Sequence, residues 1–130
     1  MLSRRSVLLA TVAGGAALIA PVFATETKTF DRESFAAAQK ADKPILVAVH
    51  ASWCPTCKTQ KPILSELMAD PKFNNLVYFV VDFDSQKDAV KYFDVRMQST
   101  LIAFKGATET GRSVGDTERA TIAALLDKTL

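Results

Sequence analysis

The chain has little of what metal sites and nucleic-acid surfaces are built from. It carries two cysteines in 130 residues, Cys54 and Cys57, and one histidine, His50. Structural zinc normally takes four ligands, and no second cysteine pair is present to complete such a site. An excess of one charge is also missing. Of the 16 Lys and Arg residues, Arg4 and Arg5 fall within the first 24 positions, and the other 14 balance the 14 acids. That balance argues for neither nucleic acid nor an anionic membrane as a partner. No repeat, low-complexity tract or interdomain linker divides the chain, so one small domain is expected. An apolar run long enough for a comfortable membrane span is lacking too.

The apolar run that does exist, Val7 to Ala20, is uncharged and follows the basic Ser3-Arg4-Arg5. Val22 and Ala24 put small residues where a signal peptidase reads. Residues 1–24 are therefore expected to be a signal peptide cut after Ala24, leaving a domain over 25–130 and a periplasmic location. A retained anchor is the alternative. Arg4-Arg5 followed by Ser6-Val7-Leu8-Leu9 resembles a twin-arginine signal, although ordinary signals also carry arginine pairs.

Export changes how the cysteines read. In an oxidising compartment a cysteine pair is often an inert staple. A bridge across two intervening residues closes a tiny loop and removes little chain entropy, so chemistry explains the spacing better. Ile45-Leu46-Val47-Ala48-Val49 reads as a buried strand in front of the pair. Ile63, Leu64, Leu67 and Met68 recur behind it at helical spacing. Cys54 and Cys57 thus sit on a strand-to-helix turn. Unpaired backbone N–H groups and the helix dipole favour an anion there, so Cys54 should ionise more readily than a free thiol.

The rest of the domain punctuates clearly. Thr25 to Phe30 is a lead-in or edge strand, and Asp31 caps a first helix that ends before Lys43-Pro44. Pro62 should kink the helix after Cys57, and Asp70-Pro71 should close it. Val77 to Val81 reads as a second apolar strand, Asp88 to Phe93 as a short helix and Leu101 to Phe104 as a third strand. After a turn at Gly106, a short fourth strand is expected around Arg112-Ser113-Val114. Asp116 or Thr117 should cap a last helix carrying Ile122, Leu125 and Leu126. Strands separated by helices suggest parallel pairing, with an antiparallel closing hairpin.

Lys43-Pro44, Ala51-Ser52-Trp53-Cys54-Pro55-Thr56-Cys57-Lys58, Pro62, Val81-Asp82-Phe83-Asp84, Thr100 to Phe104 and Gly115 together resemble the thioredoxin superfamily. The likeness spans essentially residues 28–130. It implies an α/β/α sandwich of three layers around a central mixed sheet, and a thiol–disulfide oxidoreductase. Cys54 would be the exposed nucleophile and the less exposed Cys57 would resolve the mixed disulfide. Trp53, Pro55, Thr56, Ser99, Thr100 and His50 would support or contact the substrate. No cofactor and no metal ligand is implied. Partners would be protein thiols and disulfides, with an integral-membrane thiol carrier supplying electrons to a monomer.

Three positions depart from the family. A buried aspartate before the motif is replaced by Ala48, and its lysine partner on the next strand by Val80. His50 is then the nearby titratable candidate for proton handling. The family's cis-proline is replaced by Ser99, which sits either in trans with a rearranged loop or in cis, at a cost of ~2.5–4 kcal/mol. Pro55-Thr56 differs from the Gly-Pro of thioredoxins and begins with proline as in glutaredoxins and periplasmic disulfide oxidases. The strongly oxidising members carry a large inserted helical domain, for which this chain is too short, so a reductant is expected. A disulfide oxidase or isomerase is one alternative. A copper chaperone using Cys54, Cys57 and His50 is another, since soft thiolates select Cu(I).

Overall fold

The computed structural model describes residues 13–17 and 25–130. The expected leader, residues 1–24, lies outside the described residues except for 13–17, which are exposed and have no regular secondary structure. Among the described residues, no helix is long and apolar enough to cross a membrane.

From Thr25 on, the elements are β1 (Glu26–Thr29), α1 (Arg32–Lys40), β2 (Pro44–His50), α2 (Pro55–Met68), a 3-10 turn (Pro71–Phe73), β3 (Val77–Asp82), α3 (Lys87–Tyr92), β4 (Thr100–Lys105), β5 (Thr108–Val114) and α4 (Arg119–Asp127). The five strands form one sheet in the order β1-β3-β2-β4-β5. β1 and β2 run parallel to β3, whereas β4 runs antiparallel to both β2 and β5. The sheet is therefore mixed, with the lead-in strand at its edge.

Successive side chains of a strand point to opposite faces, and both faces here are apolar. Ile45, Val47 and Val49 join Phe79, Val81, Ile102 and Phe104 in a core under α1 and α3, which add Phe35, Ala38 and Ala89. Leu46, Ala48, Leu101 and Ala103 face a second core with Leu64 and Met68 of α2 and Ile122, Leu125 and Leu126 of α4. Helices thus cover both faces, and the three-layer sandwich is the observed architecture. Continuous apolar strands are what a sheet buried on both sides requires.

Local signals account for most boundaries. Asp31 caps α1, its carboxylate accepting from Ser34 N at 2.7 Å. α2 is one continuous helix through Pro62 and ends at the Ala69 cap. Asp70 then caps the 3-10 turn, accepting from Lys72 N. Two expectations need correcting. β5 is not a short strand around Arg112. It starts at Thr108, directly after a turn at Gly106-Ala107, and pairs with β4 from Lys105 back to Thr100. Its polar sequence hides it, and a register shift opposite Ala103 and Phe104 breaks the alternation further. At Gly111 a side chain would collide with Leu125 of α4, since a Cβ there would lie 2.8 Å from Leu125 Cδ1. The cap of α4 is Glu118, without a side-chain bond of its own. Asp116 supplies the carboxylate instead, accepting from Glu118 N at 3.0 Å and from the Thr121 hydroxyl at 2.7 Å.

Candidate functional site

β2 ends at His50, and Ala51 to Trp53 turn the chain into α2. Cys54 is the N-cap of that helix, with an extended backbone, and Pro55 occupies its first turn. Proline suits this place because its ring presets the helical φ and its missing N–H would have been unpaired anyway. Cys54 and Cys57 form a disulfide, with their Cα atoms 5.3 Å apart. The Cys57 backbone N–H donates to Cys54 Sγ at 3.1 Å. The sulfur of Cys54 therefore takes the place that a capping oxygen fills in an ordinary helix.

The expected exposure of Cys54 is not observed. Cys54 is 0% exposed and Cys57 1% exposed. Bonded to each other, the two sulfurs are apolar and pack with Ala51 against the half-buried Phe83 as a small core of their own. Pro55 is exposed and Thr56 half-buried beside them. Trp53 stands outward, 55% exposed, and its indole N–H donates to Asp84 Oδ2 at 2.8 Å. Asp84 lies just after β3 in a turn organised by Asp82, whose carboxylate accepts from Asp84 N and Ser85 N. Those two bonds hold the Asp82 carboxyl below the usual carboxylate range, the Ser85 N–H contributing most. Nothing in the spacing of Trp53 and Asp84 reveals their contact.

Ser99 and Thr100 reach the same end of the sheet. Among the described residues every peptide bond is trans, so Ser99 takes the trans alternative, with φ at 64°. It is buried, and its N–H donates to Val49 O at 2.7 Å. Its carbonyl accepts from Gly115 N at 3.1 Å and from Gln60 Nε2 at 3.1 Å. The Ser99 hydroxyl donates to the Gln98 carbonyl. Thr100 starts β4, paired with Val49, and its hydroxyl donates to Met97 O at 2.7 Å.

His50 is not brought into hydrogen bonding with either sulfur. It sits on the α2 side of the sheet, beside a pocket of about 320 Å³ lined also by Thr27, Lys61, Ser65, Met68, Tyr78 and Val80. Burial, reinforced by the Lys61 ammonium, pushes His50 down to about 4, so its imidazole is neutral at physiological pH. Its Nε2 is buried without a partner. Proton handling by His50 near neutrality, expected from its type and position, is therefore not supported: desolvation disfavours the imidazolium. Burial pushes the neighbouring Tyr78 up to about 12. Ala48 and Val80 are register partners on β2 and β3, so the two apolar replacements of the family's charged pair stand side by side. Among the described residues no group of three His, Cys, Asp or Glu side chains is placed to hold a metal ion.

A disulfide between cysteines separated by two residues, at the N-terminus of a helix that follows a central strand, is a site for thiol–disulfide exchange. Comparison with known proteins agrees. A family model described as Thioredoxin matches residues 22–128. The thioredoxin of Echinococcus granulosus is 37% identical over 92 residues, 70% of this chain and 83% of that protein. The bifunctional thioredoxin reductase/thioredoxin of Mycobacterium leprae is 32% identical over 92 residues, 71% of this chain but 20% of that protein's length. Among solved structures, Trxlp from Edwardsiella tarda superposes with a TM-score of 0.76 at 39% identity, covering 78% of this chain and 98% of that one. With this fold and this disulfide, the chain belongs to the thioredoxin family of thiol–disulfide oxidoreductases.

Proposed function

We propose that this family member is exported to the periplasm and there reduces protein disulfides with the Cys54/Cys57 pair. The observation that carries the reading is the place of Cys54. As the N-cap of α2 its sulfur accepts the Cys57 N–H at 3.1 Å. After reduction the same N–H and the helix dipole stabilise a thiolate there, and a thiolate is the attacking species.

The cycle follows from that asymmetry. The Cys54 thiolate attacks one sulfur of a substrate disulfide, forming a mixed disulfide and releasing the other sulfur as a thiolate, which takes up a proton. Cys57, having lost its proton, attacks Cys54 Sγ and releases the second substrate thiol. The Cys54–Cys57 disulfide re-forms, and two electrons have passed to the substrate. An external dithiol must return the pair to the reduced state, and a thiol carrier within the membrane fits an exported protein. Because Cys54 is 0% exposed in the disulfide form, that reaction needs the packing of Ala51 and Phe83 around the pair to open.

The leader pattern in residues 1–24 supports export. Insulin reduction by residues 25–130 with dithiothreitol tests the direction. A Cys57→Ala variant should accumulate mixed disulfides through Cys54. Trapping by Cys54→Ala instead would reverse the roles. Mass spectrometry of the exported protein should find Thr25 as the first residue, and a membrane-bound species beginning at Met1 would overturn the assignment of the leader.

A further inference from the structure

Gln60 is 0% exposed, although it lies on the amphipathic helix α2 among polar neighbours. Its Nε2 donates to the Ser99 carbonyl at 3.1 Å and to the Asp116 carbonyl at 2.9 Å. Its Oε1 is buried with no partner. An unfilled buried acceptor is destabilising, and a methionine or leucine of similar volume would avoid it. Packing alone therefore does not account for the amide. Its two N–H bonds do.

Both acceptors belong to loops without regular structure at the redox end of the sheet. Ser99 holds a φ of 64°, uncommon for a residue with a side chain, and such conformations persist where the surroundings over-determine them. Three bonds do so here: Val49 O at the end of β2, Gly115 N, and the Gln60 amide. Asp116 follows Gly115 and leads into α4 by its own carboxylate bonds. Of the side chains that hold these loops, Gln60 comes from the helix that carries the disulfide, one turn after Cys57. The segments it fixes also carry Met97 and Val114, which are 53% and 56% exposed and share a shallow pocket with Arg96 and Thr100.

We propose that Gln60 is a positioning residue for protein substrates, clamping the 97–100 and 114–116 segments in a fixed relation to Cys54 and Cys57. The proposal rests on the reading that this pair reduces protein disulfides. A polypeptide substrate covers more of this end of the sheet than its sulfurs alone, and the exposed Met97 and Val114 carried by those segments are the apolar surface it would meet. A small dithiol meets the disulfide alone.

The test compares wild type with Gln60→Met and Gln60→Leu. Amide exchange at Ser99 and Gly115 should accelerate roughly tenfold or more, while amides of the β2–β3 ladder keep their protection. The kcat/KM for insulin should fall roughly tenfold, the effect of losing one buried hydrogen-bonding group, with the loss in KM. Reduction of the protein's own disulfide by dithiothreitol should change by less than about twofold, even though the Ser99 and Asp116 carbonyls lose a donor and the thermal midpoint falls by several degrees. Unchanged exchange at Ser99 and Gly115 overturns the clamp. Insulin and dithiothreitol rates that fall together make Gln60 a core residue and overturn the positioning role. A wild type inactive on insulin defeats the functional reading, whereas an active wild type matched by Gln60→Met defeats this inference alone.

Discussion

Replacing Ser99 by proline should destabilise the domain strongly, even though proline is the family's usual residue at this position. The Ser99 N–H donates to Val49 O at 2.7 Å, and Ser99 is 3% exposed. Proline has no N–H, and an acceptor left unpaired in a buried setting costs about 1–3 kcal/mol. The backbone adds a second conflict. Ser99 has φ at 64°, whereas the proline ring locks φ near about −65°, so the loop must be rebuilt at a further cost of about 1–3 kcal/mol. The total is roughly 2–6 kcal/mol. In a domain of this size each kcal/mol moves the melting temperature by about 4–8 °C, so Ser99→Pro should melt at least about 8 °C below wild type. Ser99→Gly is the control, because it keeps the N–H and adopts positive φ freely. It should melt within about 5 °C of wild type. Differential scanning calorimetry on residues 25–130 reads both variants. A Ser99→Pro protein melting within about 3 °C of wild type, or a Ser99→Gly protein falling as far as the proline variant, would refute the reasoning.

Two further outcomes are expected. His50 is near 4 in the folded protein against 6.5 when free, so the unfolded chain binds the extra proton as pH falls through that window, and stability is lost between about pH 6.5 and pH 4. Allowing for solvent screening the loss is about 2 kcal/mol; His50→Leu should flatten it in urea titrations at pH 7.5 and 4.5, and an unchanged slope would show that another group titrates there. Asp31 and Asp82 are lowered from a starting value of 3.8, so their contributions disappear at lower pH and leave that window to His50. The reduced protein should surrender Zn²⁺ to a competing chelator, because two thiolates form an open site, and a complex that survives the chelator would reveal ligands beyond Cys54 and Cys57.

The fold was legible wherever apolar pattern and caps coincide. β2, β3 and β4 are runs that supply both cores at once, so their type and burial follow from composition, and Asp31 announces α1 through its carboxylate. β5 was not legible in full. Thr108-Glu109-Thr110-Gly111 carries no apolar face, and its strand character comes from pairing with β4 across the Gly106 turn. At the site, Cys54, Cys57 and the turn that holds them could be read directly. Their burial could not, since it depends on Phe83 arriving from the end of β3. Gln60 escaped because a glutamine on an amphipathic helix reads as solvent-facing, and its partners are main-chain carbonyls 39 and 56 residues away. Sequence patterns report side chains and are silent on which carbonyls a fold leaves open.

The difference between the two sulfurs has a backbone origin in this protein. Ala48 and Val80 stand as register partners with no charge between them. His50 is neutral, and no hydrogen bond joins it to the pair. Among the described residues the bond that touches either sulfur is the Cys57 N–H to Cys54 Sγ. It belongs to the first turn of α2, where unpaired N–H groups favour negative charge. Both cysteines are buried, so burial does not separate them; the N-cap place, which only Cys54 holds, does. In the proposed cycle the helix terminus therefore places the charge on Cys54, without a carboxylate or imidazole to arrange it. Substitutions that weaken the first turn of α2 should alter the order of alkylation of the two thiols more than any change at His50. A His50→Leu protein whose Cys54 loses its lead over Cys57 would show that a side chain, rather than the helix terminus, sets that order.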